Sequence, residues 1–361
     1  MRKYLKFIVL ILLATLALGW FGRGLNWSEV RQEVERADPW LIAVATGIVC
    51  FTYLLRAYRW QVLLAPLAPA SLHKLFAATT VGFGALFVIG RAGEVLRPAF
   101  LAVRERRVDP GAAFVTIGVE RIFDMAAVVT LFAVNLLWFR APGGDSAKYA
   151  PVRIAGFALL LGLVAGVAGL CLFKRYSRRL VSWLDEKFTG APSLRNRVGR
   201  VFVNLLRQLA AALNVLVNAR ELAVVVSWTA LLWAAVTVAN WLVLRAFGLH
   251  FGLGETLFVL GWSLVGSLVP TPGGGAGAFH TTTKTGLVFI GVASEQAAAI
   301  SIVMHLVLFA PAFFFGFYYF ARSDVRLGSI RHLASTSAGG SAVEVAPEDK
   351  ISASGDVARE A

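Results

Sequence analysis

The sequence predicts an all-α polytopic integral membrane protein with about six full spans and two re-entrant helical hairpins of opposite orientation. Three observations carry this. Of the 361 residues, 58% are hydrophobic and only 16% charged, with a mean hydropathy of +0.70, which an ordinary soluble domain does not show. Six stretches are long enough, or nearly so, to cross about 30 Å of hydrocarbon as helices. Two further apolar regions are broken by glycine or charge where a straight helix would tolerate it least.

The first span is FIVLILLATLALGWF from Phe7. Its basic start imitates a signal peptide, but no small-x-small cleavage site precedes Trp20 and Phe21, so it reads as an uncleaved helix. The others begin at Trp40, Ile122, Ile154, Leu222 and Ala297. One such stretch fits the core of a soluble protein, whereas six together do not.

The net charge of +14 raises nucleic-acid binding as a class. The positions of the charges argue against it, because they gather at span ends and in KRYSRRLVSWLDEKFTGAPSLRNRVGR, residues 174–200. That is how an integral protein orients against an anionic cytoplasmic leaflet. Both termini are therefore expected in the cytoplasm of a bacterial-type cell, with the protein in its cytoplasmic membrane. A basic cytoplasmic linker occupies 174–220, whose apolar positions Val201, Leu205, Leu209 and Leu213 recur at helical spacing. Such a face lies on the membrane surface or packs against the spans. The tail, 322–361, is rich in Ser, Ala, Gly and charge and reads as largely disordered.

Two regions remain within the membrane domain 1–321. The charge pattern requires the first, 75–103, to begin and end on the cytoplasmic side, and the second, 255–292, on the external side. Each is expected as a re-entrant hairpin. In the second, Pro270, Pro272, Gly273, Gly274 and Gly275 interrupt the helix, and the freed backbone groups need protein or a wet cavity. A plain surface turn is the competing reading. Hairpins of opposite orientation are a transporter device with the site at their interface.

Lone charges in hydrocarbon are expensive, so those that occur should pair or line a polar cavity. GRAGEVLRP carries Arg91, Glu94, Arg97 and Pro98. Glu94 is three residues from either arginine and is expected to pair with one of them. One acid between two arginines leaves positive charge that suits a phosphate, or else the set only anchors the hairpin. VERIFD adds Glu120, Arg121 and Asp124 at the start of the third span; these either network with the GRAGEVLRP arginines or form a charged helix start at the interface, and Arg56 and Arg59 make that half basic. Lys284, beyond the glycines, either attracts an anionic head group or snorkels. The five histidines show no metal-ligand spacing and GGGAG is no Walker loop. Cys50 and Cys171 read as small apolar residues. No metal or cofactor is expected.

IGRAGEVLRP, then VERIFD, then VPTPGGGAG, in that order, resemble the membrane region of lysylphosphatidylglycerol synthases, the flippase-like domain family. The likeness runs over about residues 5–320. It implies handling of an anionic, phosphate-bearing lipid between leaflets. The residues it singles out are Arg91, Glu94, Arg97, Pro98, Glu120, Arg121, Asp124 and the Pro270–Gly275 turn. Full-length synthases add a soluble aminoacyltransferase domain, which the tail after Ala321 does not supply, so the chain reads as a stand-alone member without that activity. A lipid translocator is the leading expectation. A membrane enzyme acting on a lipid-linked phosphate or sugar, with Glu94, Glu120 or Asp124 as base, stays open. So does an accessory subunit of a lipid glycosyltransferase.

Overall fold

In the computed structural model the described residues are 18–105, 107–138, 150–189, 218–269 and 273–323, together with 12, 15, 16, 203, 206, 207, 209 and 210. Within these, every regular element is helical, and the protein is an all-α polytopic membrane protein.

Helix α1 is Trp27–Arg36, begun where the Asn26 side chain accepts from the Ser28 amide and buried through Val30 alone. Its charges pair with one another along the exposed side, Arg31 with Glu35 and Arg36 with Glu33, which hides the single apolar contact from a pattern search. Helix α2, Pro39–Leu64, opens on Asp38, whose carboxylate accepts from the amides of Trp40 and Leu41, with Pro39 in the first turn. Helix α3, Leu72–Ile89, runs into a 3-10 turn, Gly90–Val95, and returns as α4, Leu96–Arg104.

Helix α5 is Pro110–Trp138, with Asp109 accepting from the Ala112 amide at its start. Glu120, Arg121 and Asp124 therefore lie about three turns inside a helix and not at its beginning. The expectation placed the span start at the first apolar run; Pro110 and the Asp109 cap start it earlier. Helix α6, Ala150–Thr189, is a single 40-residue rod of about 60 Å, so the expected linker begins as a continuation of the fourth span. Val203 is buried and Leu209 packs against the bundle, which decides for packing over a free amphipathic face at those positions; the rest of 190–217 lies outside the described residues. Helix α7 is Ala219–Ala246, capped by Asn218. Helices α8, Leu253–Ser267, and α9, Ala276–Phe289, are joined by a glycine turn, and α10 is Ser294–Ala321.

Among the described residues, four helices are long and apolar enough to cross a membrane: α2, the Gly156–Ser177 part of α6, α7 and α10. With 29 residues α5 has the length too. The four correspond to four of the six expected spans; α5 holds the stretch expected as the third, and most of the first lies outside the described residues, as does the tail from 324 on. Only 6% of the apolar stretch of α6 is buried; Ile154, Phe157, Leu161 and Val164 point outward, as suits a helix whose solvent is lipid.

Helix α10 is the axis of the arrangement. Gly84 and Gly316 bring α3 and α10 into backbone contact, Gly84 against Ala312 and Gly316 against Thr80, while Phe76 meets Tyr319 and Phe87 meets Phe309. The two helices are antiparallel, and the α3–α4 pair enters from the C-terminal end of α10. Helix α9 also runs antiparallel to α10, with Gly274 against Phe309 and His280 against Ser301, so the α8–α9 pair enters from the opposite end. The tips meet near the middle of α10, where the Gly273 amide donates to the Phe87 carbonyl at 2.7 Å. Gly273, Gly274 and Gly275 all have φ between 63° and 81°, a left-handed path that residues with a side chain rarely follow.

Candidate functional site

Four elements of the bundle bring charged side chains to one place. Arg56 and Arg59 lie one turn apart on α2, Arg97 on the first turn of α4, and Glu120, Arg121 and Asp124 along α5. Helix α4 reaches this position because Gly82 has no side chain: a Cβ there would lie 2.6 Å from Cβ of Arg97.

Arg97 donates from both terminal nitrogens to Glu120, at 2.8 and 3.0 Å, the fork arrangement for which guanidinium is suited. Its charged plane lies 4.1 Å above the Trp60 ring, which is fixed in turn by an indole N–H donated to Thr116 at 3.0 Å. Arg59 donates to Asp124 at 2.7 Å and to Thr229 on α7 at 3.0 Å, and its Nη2 lies 3.3 Å from Glu120. Trp233 donates to the same Asp124 oxygen at 3.3 Å. Arg121 donates to Glu120 at 3.0 Å and approaches Asp124 within 3.4 Å. Arg56 is the loosest, with Nη1 3.7 Å from Asp124 and its guanidinium 4.9 Å above the Phe83 ring.

Four guanidinium groups thus share two carboxylates in a largely buried setting. Arg59 and Glu120 are fully enclosed, while Arg56 and Arg121 keep 11% and 36% of their side chains exposed. Nε and Nη1 of Arg56, Nε and Nη2 of Arg59, and Nε of Arg97 and Arg121 are buried with no hydrogen-bond partner among the described residues. Buried donors without acceptors are costly. An oxyanion with several acceptor atoms would meet both the excess charge and the open donors.

Of the expected residues, the fold brings Arg97, Glu120, Arg121 and Asp124 together, with Pro98 buried behind Arg97. Of the two arginines open to Glu94, Arg97 pairs with Glu120 instead. Glu94 sits half-buried in the 3-10 turn, while Glu120 on the neighbouring helix meets the fork with both oxygens. The Arg91 side chain, Pro270 and Pro272 lie outside the described residues. Gly273, Gly274 and Gly275 form the second tip rather than part of the cluster; the link between the two is α3, where Phe83 faces the arginines and Phe87 the tip, one turn apart. Lys284 stands elsewhere, lining a cavity of about 510 Å³ with Arg23, Trp20, Phe21 and Thr281.

Sequence reasoning counted Arg56 and Arg59 only toward the basic charge of that half and missed Arg59 as the hub of the cluster. An arginine pair at i and i+3 inside an otherwise apolar span was the available signal. Thr229, Trp233 and Trp60 carried none, since threonine and tryptophan are common in any span.

Residues 7–316 match the family described as lysylphosphatidylglycerol synthase TM region. A curated relative, glycosyltransferase AglD of Haloferax volcanii, is 27% identical over 322 residues, covering 80% of this chain and 50% of that protein. The chain thus spans about half the length of the relative it matches. No solved structure matches.

Proposed function

The chain belongs to the lysylphosphatidylglycerol synthase transmembrane-region family, a membrane family tied to lipid or glycan biosynthesis, and from that premise we propose that it binds an anionic, phosphate-bearing lipid and moves it between leaflets. The head group sits at Arg56 and Arg121, the acyl chains stay in the bilayer, and the α3–α4 and α8–α9 pairs act as re-entrant hairpins whose tips flank the path. The observation that carries this reading is the excess of guanidinium over carboxylate, with buried donors left open among the described residues.

The roles differ from those the sequence suggested. Arg97 and Arg59 are occupied by Glu120 and Asp124 and position the site, while Arg56 and Arg121 combine open donors with partial exposure. Affinity for phosphatidylglycerol is measured in detergent alongside the unfolding temperature. Arg56→Gln and Arg121→Gln are expected to bind about tenfold more weakly or worse, the loss of about 1.5–3 kcal/mol that one charge-assisted hydrogen bond supplies, with unfolding close to wild type. Unchanged affinity in both removes the head group from this site.

The relative's name favours a second reading, in which the lipid carries a sugar through a phosphate. The match covers 50% of that protein, and the phosphate chemistry is common to both readings. A polyprenyl phosphate included in the same titration separates them by rank of affinity.

The orientation proposed with this function puts both termini and the basic linker in the cytoplasm. Single cysteines at Arg106, Lys187 and Arg326, in a background without Cys50 and Cys171, are expected to react only from the cytoplasmic side of sealed vesicles. A cysteine at Asp145 reacts only from outside. The reverse pattern at 106 or 187 overturns the orientation.

A further inference from the structure

His280 on α9 and His305 on α10 meet with ring centroids 4.8 Å apart, buried to 7% and 4% exposure. His280 Nδ1 lies 3.3 Å from the Ser301 carbonyl. A carbonyl only accepts, so that nitrogen carries the hydrogen. Nε2 of His305 is buried with no partner among the described residues. Phenylalanine fills this kind of space elsewhere on the same helices without leaving an orphan nitrogen, so packing alone does not account for two imidazoles.

The pair lies between two other features. On one side His305 packs against Phe87, Phe279 and Phe309, with centroids 5.9, 5.0 and 4.7 Å away, and beside the backbone of Gly273 and Gly274. Those groups make up the tip junction. On the other side His280 meets Phe21 at 5.1 Å, and Phe21 lines the cavity that holds Arg23 and Lys284.

We propose that His280 and His305 form a proton-binding site, and that a proton taken up there favours parting of the two hairpin tips. The inference rests on reading the hairpins as re-entrant elements beside a lipid path, but it concerns the proton alone. A neutral pair suits the closed junction, because an imidazolium donates from both nitrogens and Nε2 of His305 meets no hydrogen-bond acceptor there among the described residues. When the tips part, water from the cavity reaches the rings, and an imidazole in water takes a proton near its ordinary value of about 6.5. Two rings this close hold one proton more readily than two. The parted state therefore binds more protons, so acid favours it, by up to about tenfold per pH unit below that value.

The charged groups around the pair leave it the titrating element. Lys284, one turn along α9, and Arg23 are the nearby basic side chains, and Glu295 in the first turn of α10 is about 15 Å away along the helix. The charges of α1 pair with one another. Helix α2 presents Tyr53, whose hydroxyl donates to the Leu308 carbonyl at 3.0 Å. Helix α3 presents Phe87, helix α7 ends at Arg245 over Trp241, and helix α8 presents Ser263, bonded to Thr283. No group of three metal-binding side chains occurs among the described residues, so a proton is a better ligand than zinc.

The test uses the full chain in phosphatidylcholine nanodiscs, with spin labels at Val88 and Val265, both half exposed, in a background without native cysteines. Between pH 7.5 and pH 5.0 the wild type is expected to gain threefold or more of the longer inter-label distance, while His280→Gln and His305→Gln keep the neutral-pH distribution. A wild-type distribution that does not move, or one that moves equally in both variants, overturns the proposal. Histidine-selective nitrogen NMR of the wild type covers the case in which the variants misfold: both rings remaining neutral down to pH 5.0 sinks it as well. Phosphatidylglycerol affinity, measured on the same preparations, reports on the arginine cluster separately. Loss of that affinity beside an intact acid response overturns the head-group reading and leaves the proton site standing.

Discussion

Glu120→Gln is expected to cost more folded protein than any other single change in the arginine cluster. Glu120 receives Arg97 through two bonds and Arg121 through one, and stands 3.3 Å from Arg59. Glutamine keeps the volume and one acceptor but removes the charge. Four guanidiniums then share one charged carboxylate, Asp124. Breaking a buried ion pair from one side costs about 3–5 kcal/mol, and here one carboxylate serves three partners. The expected result is a collapse in purified yield, or a fall in unfolding temperature well beyond that of Glu94→Gln, whose carboxylate makes no hydrogen bond to Arg97. A wild-type unfolding temperature for Glu120→Gln would show that the cluster is solvated well enough to do without its central acid. The double variant Glu120→Gln/Arg97→Met is expected to recover part of the loss, since removing both members leaves no unpaired charge.

How much of this was legible in the sequence depends on whether the signal is local. Spans α2, α7 and α10 follow from apolar length, and the two interrupted regions became helix pairs close to the expected limits, Leu72–Arg104 and Leu253–Phe289. The charged residues of the cluster were each visible because charge in an apolar stretch is rare. A network between VERIFD and the GRAGEVLRP arginines was one reading of them, but the pairing within it was not legible. A spacing of three within GRAGEVLRP offers Glu94 to Arg97, but which carboxylate wins is set by the crossing of α4 and α5, made close by Gly82, a contact between residues far apart in the chain. The same limit hid Arg59, whose partners lie 65 and 170 positions away. It hid the histidine pair too, since His280 and His305 have no meaning as neighbours until α9 is folded back along α10.

The glycine turn was legible as a break, and its geometry makes the second large effect. Gly274→Val is expected to destabilise the protein by about 2–5 kcal/mol, from two causes that can be separated. Gly274 has φ of 63°. That conformation costs an L-residue about 1–2 kcal/mol, and for a β-branched side chain it is a genuine outlier. A Cβ at Gly274 would also stand 3.0 Å from the Phe309 ring, and overpacking of this kind costs about 1–3 kcal/mol more. Replacing Phe309 by Ala in the same chain removes the steric part and leaves the backbone part. In a double-mutant cycle read by unfolding in detergent, Gly274→Val should therefore cost less beside Phe309→Ala than alone, yet still cost about 1–2 kcal/mol. Gly166→Ala is the control, since that glycine is helical and meets nothing within 4 Å; it is expected to leave stability unchanged or raise it by up to about 1 kcal/mol. Gly274→Val also shifts the Gly273 amide away from the Phe87 carbonyl, so spin labels at Val88 and Val265 should report parted tips at neutral pH. Wild-type stability and an unshifted label distance would mean that the turn yields freely, and that the left-handed glycine path does not fix where the two tips meet.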